Sequence, residues 1–247
     1  MSLNHRLFIV IPLISLLLNV FLFLTVLSAR KTRTIAAFIE LLGTFTAWCA
    51  GSLFMRMQIY PGPTFWYQVS ILGIFLVPFF IYNFLYCFTE ARGTFVRGCL
   101  FAVWLILAVM NLFHVFITDP RVVLDGGELR FEYGITLWAA VPVAAAALTL
   151  AAAWRLADKS VRDDQVLASQ YVPLQIGVGV MFICTVSAVL PQMVSLPIDT
   201  FSCGVNAICL YFMLYKKRLV QLRGMASTGP VYLVSAIFTT MLLVASY

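Results

Sequence analysis

Seven stretches of this chain are almost continuously apolar, and each is long enough to form a membrane-spanning helix. An α-helix rises about 1.5 Å per residue, so roughly 20 apolar residues cross a hydrocarbon core of about 30 Å. The predicted spans are residues 7–29, 34–57, 65–88, 95–117, 135–154, 170–194 and 198–215. The pattern therefore predicts an all-α fold, a polytopic membrane helix bundle of seven transmembrane helices.

The end of the sequence adds an eighth hydrophobic segment. Residues 230–247 are apolar and would form a helix about 27 Å long. We therefore divide the chain into a seven-helix membrane domain, residues 1–223, and a hydrophobic C-terminal segment, residues 224–247. Because a natural protein rarely ends in such a segment without a polar tail, we expect the sequence to be a truncated piece of a longer protein. Whether the eighth segment crosses the membrane is left open.

One connecting segment, residues 118–134, is longer and more polar than the others. It contains Asp125-Gly126-Gly127 between "RVVL" and "ELRFEY". Asp-Gly and Gly-Gly pairs flanked by β-branched and aromatic residues are typical of a β-hairpin. We predict a two-stranded hairpin outside the membrane, which serves either as a simple connector or as a lid over an outward-facing pocket.

Composition supports the membrane prediction. The chain is 62% hydrophobic and 11% charged, less than half of the roughly 25% charged residues of a soluble domain. The net charge of +6 could suggest nucleic acid, but the basic residues lie at the ends of the apolar stretches. Membrane lipids, especially those of an anionic leaflet, are therefore the expected partners, and nucleic acid is not.

The basic residues also predict the orientation of the chain. Twelve of them fall on one side of the predicted bundle: Arg30, Lys31, Arg33, Arg92, Arg97, Arg155, Lys159, Arg162, Lys216, Lys217, Arg218 and Arg223. The other side has only Arg6, Arg56, Arg121 and Arg130. Cytoplasmic loops carry the excess of Lys and Arg, so the N-terminus is predicted outside and the basic segment after helix 7 in the cytoplasm.

Polar and indole side chains in the outer halves of the helices are the main candidates for a ligand site, because polar groups in a membrane normally face the bundle interior. The candidate set is Trp48, Arg56, Trp66, Asn111, His114, Trp138, Gln192 and Asp199. Asn111 and His114 are three residues apart and would share one face of helix 4. For His114, an interhelical hydrogen bond and proton sensing are alternatives to ligand contact.

Two further alternatives concern the same set. Arg56 and Asp199 lie near the outer surface and could pair across helices 2 and 7, or Arg56 could bind an anionic ligand. Trp66 and Trp138 could instead be interfacial belt residues. We also expect the alanine-rich helix 5 to be tightly packed and to touch several other helices, because small residues allow helix backbones to approach closely.

Signatures of catalysis are missing from the sequence. It has no HExxH, GxSxG or P-loop motif, and the six cysteines lack metal-ligand spacing. We therefore predict no cofactor, no metal site and no enzymatic activity in this chain. A transporter or channel is the alternative from another class, although the sparse polar residues do not form a continuous path.

Helices 3 and 4 carry a family resemblance. They read "FWYQVSILGIFLVPFFIYNFLYCFTE" and "LAVMNLFHVFI", and later parts of the chain read "FEYGITLW", "QYVPLQI" and "LPIDTFSCGVNAICLYFMLYKKRLVQL". Over residues 7–223 the chain resembles the seven-helix N-terminal membrane sensor region of bacterial histidine kinases. The features that match are Trp66 at the start of helix 3, Pro78 within it, the Asn111 and His114 pair, and Asp199 at the start of helix 7.

The resemblance implies a sensory receptor domain of a two-component system in the bacterial inner (plasma) membrane. Such a domain detects an extracytoplasmic or membrane-borne ligand, a small or lipophilic molecule, and passes a signal to a cytoplasmic output module. No PAS, kinase or cyclase sequence follows here, so the output module is expected to lie outside this chain. Assembly as a homodimer is left open. We expect helices 6 and 7 to move relative to the rest of the bundle when ligand binds.

Overall fold

The computed structural model describes residues 3–27, 29, 31–125, 128–161, 165–187 and 197–216. This part of the chain forms an all-α membrane bundle of seven helices with one β-hairpin. The helices are α1 (Leu3–Leu27), α2 (Arg33–Arg56), α3 (Pro63–Phe88), α4 (Phe95–Leu112), α5 (Ala140–Val161), α6 (Gln165–Ser187) and α7 (Ile198–Lys216). Of the predictions above, those on Gln192 and on the C-terminal segment lie outside the described residues.

The helices have the length and apolar composition of membrane spans. Five contain stretches that satisfy both requirements, in α1 to α4 and over Leu137–Asp158. The apolar stretches of α6 and α7, Tyr171–Thr185 and Ile198–Met213, are shorter. The predicted all-α membrane bundle is thus confirmed.

The predicted end of helix 4 is wrong. The helix was expected to reach residue 117, but α4 ends at Leu112. His114 then takes a φ of 58°, and its amide donates to the carbonyl oxygen of Asn111 at 2.9 Å, which closes a tight turn. The residues beyond Leu112 are as apolar as a helix interior, so hydropathy alone could not separate the end of the helix from the first strand.

The predicted hairpin is confirmed. Strands β1 (Ile117–Asp125) and β2 (Glu128–Ile135) pair antiparallel, with Asp125 opposite Glu128 next to the turn. The register shifts between Thr118 and Arg121, where Pro120 has no N–H to donate to the ladder. After β2, a short 3-10 helix over Leu137–Ala139 leads into α5, so α5 starts later than the predicted residue 135 and continues beyond the predicted residue 154.

Helices α2 and α3 make the closest contact in the bundle core. A Cβ added to Gly73 of α3 would lie 2.9 Å from the carbonyl oxygen of Thr44 and 2.9 Å from the amide nitrogen of Trp48. A Cβ on Gly51 of α2 would lie 2.7 Å from the carbonyl oxygen of Trp66. The two backbones therefore touch because a hydrogen replaces a side chain at each point, the packing mode of small residues in membrane helices.

Helix α7 packs between α1 and α6 and also reaches α2. Gly204 faces Ser15 of α1, and a Cβ there would lie 2.8 Å from the Ser15 hydroxyl oxygen. Gly177 of α6 likewise faces the Asn206 side-chain oxygen so closely that a Cβ would collide with it. Ser15 also donates to the carbonyl oxygen of Thr200 at 2.8 Å, which ties the first turns of α7 to α1.

Helices α4 and α5 are peripheral. The prediction that helix 5 touches several other helices is confirmed, since α5 contacts α3 and α6, but the prediction that it is tightly packed is wrong. In its most apolar stretch, 17% of the α5 residues are buried, against 61% in α2 and 61% in α3. Many of its alanines and Leu148 face outward. Small residues permit close packing but do not require it, and here they form a smooth outer face.

Candidate functional site

The end of the bundle that carries the hairpin contains a largely buried ion pair between α2 and α7. Arg56 is the last residue of α2, and Asp199 lies in the first turn of α7. The Arg56 Nη2 lies 3.9 Å from Asp199 Oδ1, and the two side chains are 7% and 24% exposed. Of the two alternatives considered for Arg56, the interhelical pair is the one present in the structure.

Arg56 is held by two other groups besides the carboxylate. Its Nη1 donates to the carbonyl oxygen of Ser52 at 3.1 Å and contacts the Ser52 hydroxyl. Its guanidinium carbon lies 4.9 Å from the centre of the Phe8 ring of α1, a cation–π distance. The Nε group donates to none of the residues that the structure describes. The guanidinium is thus fixed in place, and its Nε–H has no acceptor among the described residues.

The hairpin lies against this end of the bundle. β1 contacts α3 and β2 contacts α1. Burial raises the pKa of the Tyr133 phenol of β2 above its usual range, and the Asp199 carboxylate raises it further. Tyr133 also lies within electrostatic range of Tyr67 in the first turns of α3. The phenol of the hairpin therefore lies within electrostatic range of the carboxylate of the ion pair. The role of the hairpin as a lid stays a prediction.

The tryptophans of the candidate set are dispersed. Trp48 is fully buried in the α2–α3 contact, where its carbonyl oxygen accepts from Ser70 at 3.2 Å. Trp66 packs edge-on against Phe54 at 4.7 Å, and its Nε1 donates to the carbonyl oxygen of Tyr60 at 3.3 Å. Trp138 is 66% exposed. The structure therefore does not bring the three indoles together.

Asn111 and His114 do not share a helix face, which corrects the expectation from their spacing. Asn111 is 2% exposed in the last turn of α4, whereas His114 is exposed beyond the end of the helix. The positive φ of His114 turns the chain away from the helical path, so the three-residue spacing no longer places the side chains one above the other. The ligand role of both residues stays a prediction.

Three residues that interact with the ion pair were absent from the candidate set predicted from the sequence: Ser52, Phe8 and Tyr133. Ser52 precedes Arg56 by four residues, the spacing of neighbours on a helix surface, so it could have been found. Phe8 is one of many apolar residues in α1, and nothing in its context distinguishes it. Tyr133 required the position of the hairpin relative to α7, which depends on tertiary packing.

A separate groove lies between α3, α5 and α6. Its volume is about 280 Å³, and apolar side chains such as Ile81, Leu150 and Phe182 line it, with Gln175 as a polar member. None of the described residues of the candidate set lines it. The ion pair and the groove are therefore independent features of the bundle.

The arrangement at the hairpin end of the bundle is suited to binding an ionic or polar group. Among the described residues, no three His, Cys, Asp or Glu side chains come together as a metal site. What the site provides is a fixed cation, a partly exposed carboxylate and a phenol at a helix junction. The Arg56 guanidinium can exchange the Asp199 carboxylate for another anion without forming or breaking a covalent bond.

Comparison with known proteins gives one family. The model described as the N-terminal 7TM region of histidine kinase matches residues 11–223. Comparisons with curated proteins and with solved structures gave no significant match. The matched range includes the ion pair, the hairpin, helices α2 to α7 and all of α1 except its first eight residues.

Proposed function

We propose that this chain detects a ligand at its outer end and transmits the signal along α7. The reason is that the chain belongs to the family of N-terminal seven-helix regions of histidine kinases. The output module to which it would transmit lies outside this chain. The family match does not favour the alternative of a transporter or channel. The domain itself contributes binding and movement, and catalysis belongs to the output module.

One observation carries this proposal. α7 begins at the Arg56–Asp199 ion pair and continues without interruption to Lys216, at the start of the basic segment. A displacement at one end of a helix is transmitted to the other end. The distance between the two ends is about 1.5 Å for each residue of the helix. A change in the partner of Asp199 would therefore reach the opposite end of the bundle along a single element.

The ion pair supplies two states that a ligand could distinguish. In the first, Arg56 binds Asp199 and holds α7 against α2. In the second, an anionic group of the ligand takes the place of the carboxylate on Arg56, and α7 is released. A ligand shifts such an equilibrium only by its difference in affinity for the two states, and a tenfold preference supplies about 1.4 kcal/mol.

The proposed orientation places the N-terminus and the hairpin outside and Lys216 in the cytoplasm of a bacterial inner membrane. The support is the excess of basic residues at one end of the helices. Cysteines introduced at Tyr60 and at Arg92, both exposed, test it with an impermeant maleimide in intact cells. We expect labelling at Tyr60 and none at Arg92 until the cells are opened, and the reverse order would overturn the orientation.

The proposed movement is tested by breaking the ion pair with Asp199→Asn. Spin labels are placed at the exposed Cys99 near the start of α4 and at Phe212→Cys in α7, with Cys87, Cys184 and Cys209 changed to alanine. Removing one partner of a buried pair costs on the order of 3 kcal/mol, because the other charge is left in apolar surroundings. We expect the electron–electron distance distribution to change, since α7 is no longer held against α2.

The matched control is Glu132→Gln, which removes one carboxylate from the exposed pair with Arg121 on the hairpin, where the two groups are 3.5 Å apart. Exposed pairs contribute little, so the control should keep the wild-type distances. If Asp199→Asn also keeps them while circular dichroism shows a folded bundle, the ion pair does not hold α7, and the proposed transmission is wrong.

A further inference from the structure

Two cysteines meet in the core of the bundle, close to the ion pair but separate from it. Cys49 belongs to α2 and Cys203 to α7, and both are fully buried. The Asn19 side chain of α1 lies between them, with its Nδ2 at 3.7 Å from Cys49 Sγ and 3.6 Å from Cys203 Sγ.

Asn19 has a fixed orientation that explains how the thiols are held. Its Nδ2 also donates to the carbonyl oxygen of Ser15, one turn earlier in α1, at 2.8 Å. One amide group thus touches sulfur atoms from two other helices at once. The two sulfur atoms therefore lie 3.7 Å and 3.6 Å from the same nitrogen atom, and they belong to helices α2 and α7, which are in contact.

The position of the pair in the membrane restricts which oxidant could reach it. Cys49 lies two turns before Arg56, and Cys203 lies one turn after Asp199, so both thiols belong to the part of the bundle nearer the ion pair. They lie inside apolar helices with no exposed sulfur surface. An oxidant dissolved in the lipid phase can enter these apolar surroundings more readily than one dissolved in water.

We propose that Cys49 and Cys203 form a dithiol site that a lipid-soluble quinone oxidises to a disulfide. The two S–H bonds break and one S–S bond forms, so the pair loses two electrons and two protons. The quinone accepts both and becomes the quinol, and the reaction is balanced without any other reactant. A thiol reductant reverses it by exchange through a mixed disulfide.

The disulfide would have a defined effect on the bundle. It joins α2 to α7, the same two helices that the ion pair joins, but a ligand cannot displace it. Oxidation would therefore keep α7 in the position that it has when Arg56 binds Asp199. This consequence rests on the proposed function, whereas formation of the disulfide does not.

The site is tested with the whole chain in lipid nanodiscs. The probe is tetramethylbenzoquinone, whose fully methylated ring resists addition of a thiol, so that oxidation is the reaction observed. After treatment, the protein is denatured, the remaining thiols are alkylated, and intact mass and peptide mass spectra are recorded. We expect the protein to lose two of its six thiols and to yield a linked peptide that joins Cys49 to Cys203.

Variants and reductant complete the test. Cys203→Ala should abolish the linked peptide, the matched change at the exposed Cys99 should leave it intact, and dithiothreitol should restore all six thiols. A protein that keeps six free thiols, or that links other cysteines instead, overturns the proposal. The wild-type spectra decide this even if Cys203→Ala does not fold.

Spin-label distances distinguish a failure of the dithiol site from a failure of the proposed function. In the labelled Asp199→Asn protein, which retains Cys49 and Cys203, quinone should return the distances to their wild-type values. If the linked peptide forms and the distances do not respond, the dithiol site stands and the proposed role of α7 fails. If no linked peptide forms, the site fails whatever the distances show.

Discussion

Helices α2 and α3 on one side and α4 and α5 on the other are all apolar, yet they are packed in opposite ways. In α2 and α3, 61% of the most apolar stretch of each helix is buried, against 22% in α4 and 17% in α5. The first pair forms the bundle core and ends beside the ion pair. The second pair lies at the edge and presents large side chains such as Phe101 and Leu148 outward.

The contrast shows that close contact between membrane helices requires small residues that face the backbone of the neighbouring helix. Small residues elsewhere on a helix do not produce it. Gly51 and Gly73 each face the backbone of the opposite helix. In α5, Ala153 and Ala157 are buried, but four other alanines are exposed: Ala140, Ala144, Ala147 and Ala151. The Thr149 hydroxyl of α5 accepts from Trp104 of α4. A lipid-facing alanine gains nothing from its small size.

Among changes to the packing of the helices, the largest expected effect follows from filling the α2–α3 contact with Gly73→Ala. The added methyl group would lie 2.9 Å from backbone atoms of both Thr44 and Trp48, so the helices must separate. Overpacking of this kind costs about 1–3 kcal/mol, which exceeds the gain of up to about 1 kcal/mol in helix propensity. We expect a net loss of about 2 kcal/mol in the free energy of unfolding, measured in bicelles by denaturant titration.

The matched control for that change is Gly98→Ala in α4. A Cβ at Gly98 meets no atom within 4 Å, so only the propensity gain remains, and the variant should be as stable as the wild type or up to about 1 kcal/mol more stable. If the two glycine variants have equal stability, the difference between core and edge helices does not exist in the membrane.

The parts of the fold that the sequence could predict are those set by local chemistry. The seven apolar stretches follow from hydropathy, and the hairpin follows from Asp125-Gly126-Gly127. The Arg56–Asp199 pair was one of two alternatives, suggested by opposite charges near the same surface, and the structure contains it. Each of these depends on the energetic cost of polar groups in a membrane, which leaves few alternatives.

The parts that could not be predicted depend on contacts between elements. α4 ends at Leu112 because the chain must turn into β1, and the apolar residues that follow give no sign of it. The exposed side of α5 could not be recognised, because alanine suits both a tight contact and a lipid-facing surface. The approach of Cys49 to Cys203 was also not foreseen, since the two thiols come from helices separated by most of the sequence and meet only through the packing of α7.

The smallest expected effect is at the edge of the bundle, with Thr149→Val. The Trp104 Nε1 donates to the Thr149 hydroxyl at 3.1 Å, and both residues are 2% exposed. Valine keeps the shape and removes the acceptor. Interhelical hydrogen bonds in membranes contribute on average about 0.6 kcal/mol, so the free energy of unfolding should fall by about 0.5–1 kcal/mol.

Thr149→Ser, which keeps the hydroxyl, should retain more of the stability, and Ala151→Leu on the outward face of the same helix should change it by less than about 0.5 kcal/mol. A loss with Thr149→Val as large as that with Gly73→Ala would show that α4 and α5 are as firmly bound to each other as α2 and α3, because one hydrogen bond between loosely packed helices cannot contribute as much as a contact between two backbones.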